Sequence, residues 1–119
     1  MAKTVLLVED EAELLDLFKA ELQENGYQVL PAGSGAEALR LIRDSASSID
    51  LLVADVVLPQ VSGIALAHKL KKRVPEVEVL LMSGYGQILH DDMGFPVLSK
   101  PLTPEFLLER VQAILEGGD

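Results

Sequence analysis

Short runs rich in leucine and valine alternate with longer stretches of helical period along the chain, and the alternation repeats five times. Such a chain is constrained to stack crossover helices on a largely parallel sheet, because parallel neighbours cannot be joined by a tight turn. The strand-like runs are Lys3 to Glu9, Tyr27 to Pro31, Asp50 to Asp55, Val77 to Ser83 and Phe95 to Leu98. The first, third and fourth are almost wholly apolar, as strands covered on both faces must be. The second and fifth are weaker, and Pro96 deprives the fifth of a ladder donor, which suits a position at or near an edge.

The helical segments carry their own start and stop signals. The first begins near Asp10, lines up Leu14, Leu15, Phe18 and Leu22, and stops at Asn25-Gly26. The second opens with Ser34-Gly35-Ala36-Glu37, which reads as a capping box, and turns Ala38, Leu39, Ile42 and Ala46 inward. The third runs from about Ser62 to Val74 and ends at Pro75; the last starts at Thr103-Pro104 and closes at Gly117-Gly118. Between Ser83 and Phe95, glycines flank Gln87 to Met93 and leave room for only a short fourth helix. The expected fold is α/β: a flavodoxin-like, doubly wound sheet of five parallel strands in the order 2-1-3-4-5, with helices on both faces.

At 119 residues the chain fits one domain, read as residues 1–119. No apolar run approaches the roughly 20 residues of a membrane span, and the start has no secretory layout, so a soluble cytoplasmic protein is expected. There are no cysteines, which leaves carboxylates, hydroxyls, lysines and two histidines to carry chemistry. A net charge of −9 without a basic cluster argues against nucleic acid or an anionic membrane as a direct partner.

In doubly wound sheets the ligand crevice lies beyond the carboxyl ends of the strands, beside the switch between strands one and three. Here those ends carry Glu9-Asp10, Asp55 and Ser83, and Ser99-Lys100-Pro101 follows the fifth strand; the second strand ends in Pro31 and contributes nothing. Three carboxylates brought together repel one another unless a cation neutralises them, and hard oxygen ligands in such a set suit Mg²⁺. Lys100 and Ser83 would then offer a positive charge and a hydroxyl to phosphoryl oxygens. Taken singly, Asp10 reads as well as a helix cap and Asp55 as a turn former, while Ser83-Gly84 alone reads better as a turn and Lys100 alone as a solvated lysine. Their convergence on one edge favours a site. His68 and His90 lack metal-ligand spacing and read as surface residues, while Phe18 and Met82 read as core.

These residues resemble the receiver domains of response regulators and hybrid histidine kinases, and the resemblance covers the whole chain. Leu6-Leu7-Val8-Glu9-Asp10-Glu11 is similar to the family's acidic first-strand motif. Asp55-Val56-Val57-Leu58-Pro59 with Gly63 is similar to its phosphoacceptor loop, and Lys100-Pro101 to its lysine-proline pair. The resemblance implies that Asp55 accepts the phosphoryl group and that Asp10, Asp55 and the Val57 carbonyl bind Mg²⁺, with Glu9 acting through a metal-bound water. It also implies that Ser83 is the switch hydroxyl, that Lys100 pairs with the phosphoryl group and that the peptide before Pro101 is cis. A histidine kinase or histidine phosphotransfer protein is the implied donor, with an output partner or attached domain that the sequence does not name.

Met82-Ser83-Gly84-Tyr85 and Pro101-Leu102-Thr103-Pro104 are most similar to receivers fused to hybrid kinases. Two departures stand out: Val97 replaces an aromatic common three residues before the lysine, and the segment from Ser83 to Lys100 is short. In the family, the residues two after the acceptor and two after the switch hydroxyl modulate hydrolysis. Here these are Val57 and Tyr85, neither of which readily positions a water, so slow self-dephosphorylation is expected. Two other readings stand beside this one: a phosphorylation-independent receiver-like interaction module, and a haloacid-dehalogenase-type phosphohydrolase. The hydrolase would carry a second aspartate where Val57 stands.

Overall fold

The computed structural model describes residues 2–84 and 94–117. Strands β1 (Thr4–Val8), β2 (Gln28–Ala32), β3 (Leu51–Asp55), β4 (Glu78–Ser83) and β5 (Val97–Ser99) form one parallel sheet in the order β2-β1-β3-β4-β5. The expected topology is therefore observed. Helices α1 (Ala12–Glu24), α2 (Gly35–Ser45), α3 (Gly63–Arg73) and α4 (Pro104–Leu115) cross between or follow the strands, and a 3-10 turn at Ala46–Ser48 extends α2. The short helix expected within Gln87 to Met93, with Tyr85 and His90, lies outside the described residues. Among the described residues no helix is long and apolar enough to cross a membrane.

Period-two alternation divides the core between the two faces of the sheet. Leu6, Val8, Leu52, Ala54, Val79 and Leu81 point toward α2 and α3, where they meet Ala38, Ile42, Leu66 and Leu70. Val5, Leu7, Leu51, Val53, Leu80 and Met82 point the other way and meet Phe18 and Leu22 of α1 with Leu107 and Val111 of α4. All five residues of β1 and of β3 are buried, which is why these strands read as unbroken apolar runs.

Local signals hold with some corrections. The Oγ atoms of Ser34, Ser62 and Thr103 accept hydrogen bonds from Glu37, Ala65 and Phe106 N–H, capping α2, α3 and α4. The box at Ser34 is only half closed: the Glu37 carboxylate accepts from Gly33 N–H at 2.6 Å rather than from the capping residue. Helix α1 begins two residues later than expected, with Glu11 at its cap and no side-chain cap. Pro96 lies just outside β5, where its lone backbone group, a carbonyl, still accepts from Leu81 N–H at 2.9 Å.

Candidate functional site

The carboxyl ends of the strands bring the predicted polar residues to one cleft of about 450 Å³, lined by Glu9, Asp10, Asp55, Val57, Lys100 and Pro101 among others. Oxygens of Glu9, Asp10 and Asp55 lie within 4.8 Å of one another. Glu9 is fully buried and Asp55 is 5% exposed, whereas Asp10 faces solvent. The Lys100 ammonium donates to Glu9 Oε1 at 2.6 Å and ion-pairs with Asp55 Oδ1 at 2.8 Å. Glu9 Oε2 accepts from Glu11 N–H at 3.0 Å, so the first turn of α1 is anchored by Glu9.

Two buried carboxylates sharing one ammonium leave a surplus of negative charge in a poorly solvated place. Burial pushes the Asp55 carboxyl up to about 7; the Lys100 hydrogen bond opposes the rise and the charge of Glu9 adds to it. Burial pulls the other way on Lys100, but its bonds to Asp55 and Glu9 prevail and hold the ammonium above its ordinary value. Three hard oxygen donors around a site that is short of positive charge fit a divalent cation of the magnesium type.

Backbone contacts explain why Asp55 is held so closely. Val56 N–H donates to Met82 O at 2.8 Å and Lys100 N–H to Ser83 O at 2.7 Å, which ties the ends of β3, β4 and β5 together. The start of α3 is seated on the end of β3: a Cβ on Gly63 would lie 2.1 Å from the Asp55 carbonyl oxygen. Only glycine allows that approach. Between them the loop turns tightly at Gln60, whose φ is +75°, with Val61 N–H donating to Pro59 O at 2.8 Å. Val61 in turn covers Gly35 at the start of α2, where a Cβ would stand 1.9 Å from Val61 Cγ1.

Each predicted site residue within the described part takes a place at this edge. Ser83 is buried at the end of β4, its hydroxyl donating to Gly84 O at 3.4 Å, and the Lys100-Pro101 peptide is cis. Val57 is 60% exposed on the rim. Asp10 does not cap α1, so the bland reading of that residue fails. The expectation that the second strand contributes nothing is corrected: Ala32 O accepts from Glu9 N–H at 3.1 Å and fixes the buried acid from the edge strand. That residue carries no sequence signal because its contribution is a carbonyl oxygen. Phe18 and Met82 are core, as expected, and exposed His68 packs edge-on against Phe95, ring centres 5.5 Å apart.

A second correction concerns charge. The reading that the chain has no basic cluster holds for its net charge but not for its surface: Arg40, Arg43, Lys69, Lys71, Lys72 and Arg73 all belong to the α2–α3 pair.

Comparison with known proteins agrees with the geometry. The model of the response regulator receiver domain matches residues 5–112. The chain is 36% identical to part of the sensor kinase CckA of Brucella abortus, over 98% of this chain and 13% of that protein. It spans about half the length of the transcriptional regulators it also matches, such as PhoP of Bacillus subtilis, at 51%. A receiver protein from Sinorhizobium medicae superimposes with a TM-score of 0.87 at 30% identity, covering 99% of this chain and 98% of that one. A CheY-like receiver from Methanospirillum hungatei gives 0.87 at 28% identity, with 98% and 96% covered. With the acidic pocket of Glu9, Asp10 and Asp55 at the switch point of a 2-1-3-4-5 sheet, the chain belongs to the response regulator receiver family, the phosphoacceptor modules of two-component signalling.

Proposed function

We infer that residues 1–119 form a receiver module that takes a phosphoryl group onto Asp55 from a histidine kinase or histidine phosphotransfer protein in the cytoplasm. The observation that carries this reading is the Asp55 carboxylate, buried at a strand end, paired with Lys100 and within ligand reach of Glu9 and Asp10. Asp10, Asp55 and the Val57 carbonyl would hold Mg²⁺, with Glu9 acting through a water. Bound there, the ion would neutralise the carboxylates and the oxygens of the incoming phosphoryl group.

One Asp55 oxygen attacks phosphorus, the bond from phosphorus to the donor's imidazole nitrogen breaks, and the imidazole takes up a proton as it leaves. Lys100 moves its hydrogen bonds from the carboxylates to the phosphoryl oxygens, and its backbone bond to Ser83 O keeps it in register. Ser83 gives the phosphoryl group a contact that differs between two conformations, which any switch requires. Val57 on the rim offers no group that could orient a water, which supports slow hydrolysis of the acyl phosphate.

Incubation with acetyl phosphate and Mg²⁺, followed by intact mass, tests the reading. A mass gain of one phosphoryl group, abolished by chelation and lost slowly, is expected; no gain would overturn it. Val57→Asn should shorten the lifetime, whereas Ser83→Ala should still load but lose most of the response in its partner. The likeness to part of a sensor kinase and the hybrid-kinase pattern around Ser83 and Pro101 support a place within or beside a kinase of that kind.

A further inference from the structure

Charge is distributed unequally over the two faces of the sheet. Helices α1 and α4 together carry six acidic residues and two basic ones, whereas α2 and α3 carry two acidic and six basic. Six of the chain's ten lysines and arginines therefore sit on two of its helices, in a protein whose net charge is −9. Helix α3 contains no acidic residue at all.

Four of these six cations, Arg43, Lys69, Lys72 and Arg73, border a groove of about 470 Å³ between α2 and α3. Half-buried Leu39 forms its apolar part over the buried Ile42, and exposed Arg43, Lys69, Lys72 and Arg73 its charged part. Arg73 of α3 reaches across to α2: its guanidinium donates to Ile42 O and Arg43 O, at 3.4 and 3.5 Å, two of the carbonyls in the last turn of α2. Arg43 has Asp44 beside it, but within the described residues Lys69 and Lys72 make no ion pair. Favourable placement at a helix C-terminus accounts for some of the charge at the end of α3. It does not account for Lys69 in the middle of that helix, nor for the apolar strip between the two basic rims.

We propose that the α2–α3 groove docks an acidic segment of a partner protein, one in which aliphatic side chains alternate with carboxylates. An aliphatic residue would cover half-buried Leu39 while the carboxylates meet Lys69, Lys72 and Arg43 on either side. Nucleic acid fits less well, because the groove offers no aromatic platform: the His68 ring is already engaged with Phe95. A membrane surface fits less well too, since the apolar strip is recessed between helices and the rest of the molecule is acidic. The groove is separate from the phosphoacceptor cleft and shares none of its lining residues, so the proposal stands apart from the function inferred for that cleft.

The test uses a fluorescein-labelled peptide of about a dozen residues alternating leucine with glutamate pairs, and a matched peptide with lysine in place of glutamate. Anisotropy at low salt should show binding of the acidic peptide only, falling about tenfold in Lys69→Glu/Lys72→Glu and also on raising the salt. Amide shifts should change along α2 and α3, and Leu39→Ala should weaken binding without altering charge. Acetyl phosphate loading should be unchanged in all variants. The proposal is overturned by absence of binding, by binding that the double variant retains, or by tighter capture of single-stranded DNA or phosphatidylserine vesicles. Sedimentation showing that the chain fills the groove with its own second copy would overturn it as well.

Discussion

The phosphoacceptor cleft and the α2–α3 groove enclose nearly the same space, about 450 and 470 Å³, yet they concentrate opposite charges in opposite ways. In the cleft the charges are buried: Glu9 and Asp55 are closed off from water and compete for one ammonium. In the groove they are spread over exposed side chains, and only the aliphatic strip is withdrawn from solvent. Buried charge is strongly coupled to protonation, metal and backbone position, while exposed charge is screened and costs little to change. The difference separates a place where chemistry is done from a place where something is held, and mutations should sort accordingly.

The largest effect should follow Asp55→Asn, which removes the nucleophilic oxygen while keeping the shape. Phosphoryl incorporation from acetyl phosphate should fall below detection by intact mass, whereas Lys69→Glu/Lys72→Glu should load like the native chain. Incorporation at an unchanged level in the Asn variant would move the acceptor elsewhere and erase the distinction between the two concavities.

Next in size is the backbone cradle of the cleft. Gly63→Val would drive a side chain into the Asp55 carbonyl, 2.1 Å away, and the backbone of a central strand has nowhere to go. A loss of about 3 kcal/mol is expected from urea unfolding, at the upper end of overpacking costs. Gly35→Ala meets Val61 Cγ1 at 1.9 Å, but that atom ends a side chain on a loop and can give way, so roughly 1 kcal/mol is expected. Equal losses at the two sites would show that the acceptor strand is no more rigidly held than the loop around it.

Much of this was legible before any coordinates. Strand ends are the easiest places to read, because an unbroken apolar run that stops at Glu9, Asp55 or Ser83 marks where a doubly covered strand ends and which residue stands at the crevice. Lys100 was legible through its proline. The Ala32 carbonyl was not, since backbone acceptors leave no mark in composition, and neither was the bond from Glu37 back to Gly33. The basic groove was only half hidden: Lys69, Lys71, Lys72 and Arg73 stand within five positions of the sequence, but Arg40 and Arg43 lie on a helix separated from them by a strand, and only packing of α2 against α3 joins the two sets. A net charge taken over the whole chain cancels them against α1 and α4.

Smaller again is the pH dependence of the metal-free protein. Asp55 titrates near 4 in an unfolded chain and at about 7 in the folded one, so the native state holds the proton more tightly. Folding stability should therefore fall as pH rises from about 4 to 7 and stay low above it. The raised Lys100 cannot mask this, because its contribution is intact throughout that window and is lost only when the ammonium itself titrates at high pH. Asp55→Asn should therefore show a gain in stability over the native chain at pH 8. It should vanish near pH 4, and Mg²⁺ should narrow it by stabilising only the native carboxylate. A gain independent of pH would mean that the carboxylate charge is not what strains the cleft.

The smallest effects belong to the groove. Lys72→Ala and Arg43→Ala remove charges that water already solvates, and each should shift the urea midpoint by less than about 0.5 kcal/mol in stability. Arg73→Ala is the informative exception, because it also removes the donors that close the carbonyl end of α2. It should cost about 1 kcal/mol, the usual worth of such a bond, and it should loosen the groove while leaving the lysines in place. If Arg73→Ala cost no more than Lys72→Ala, the two helices would be held by their apolar contacts alone, and the groove would be a consequence of packing rather than a shape that its own rim maintains.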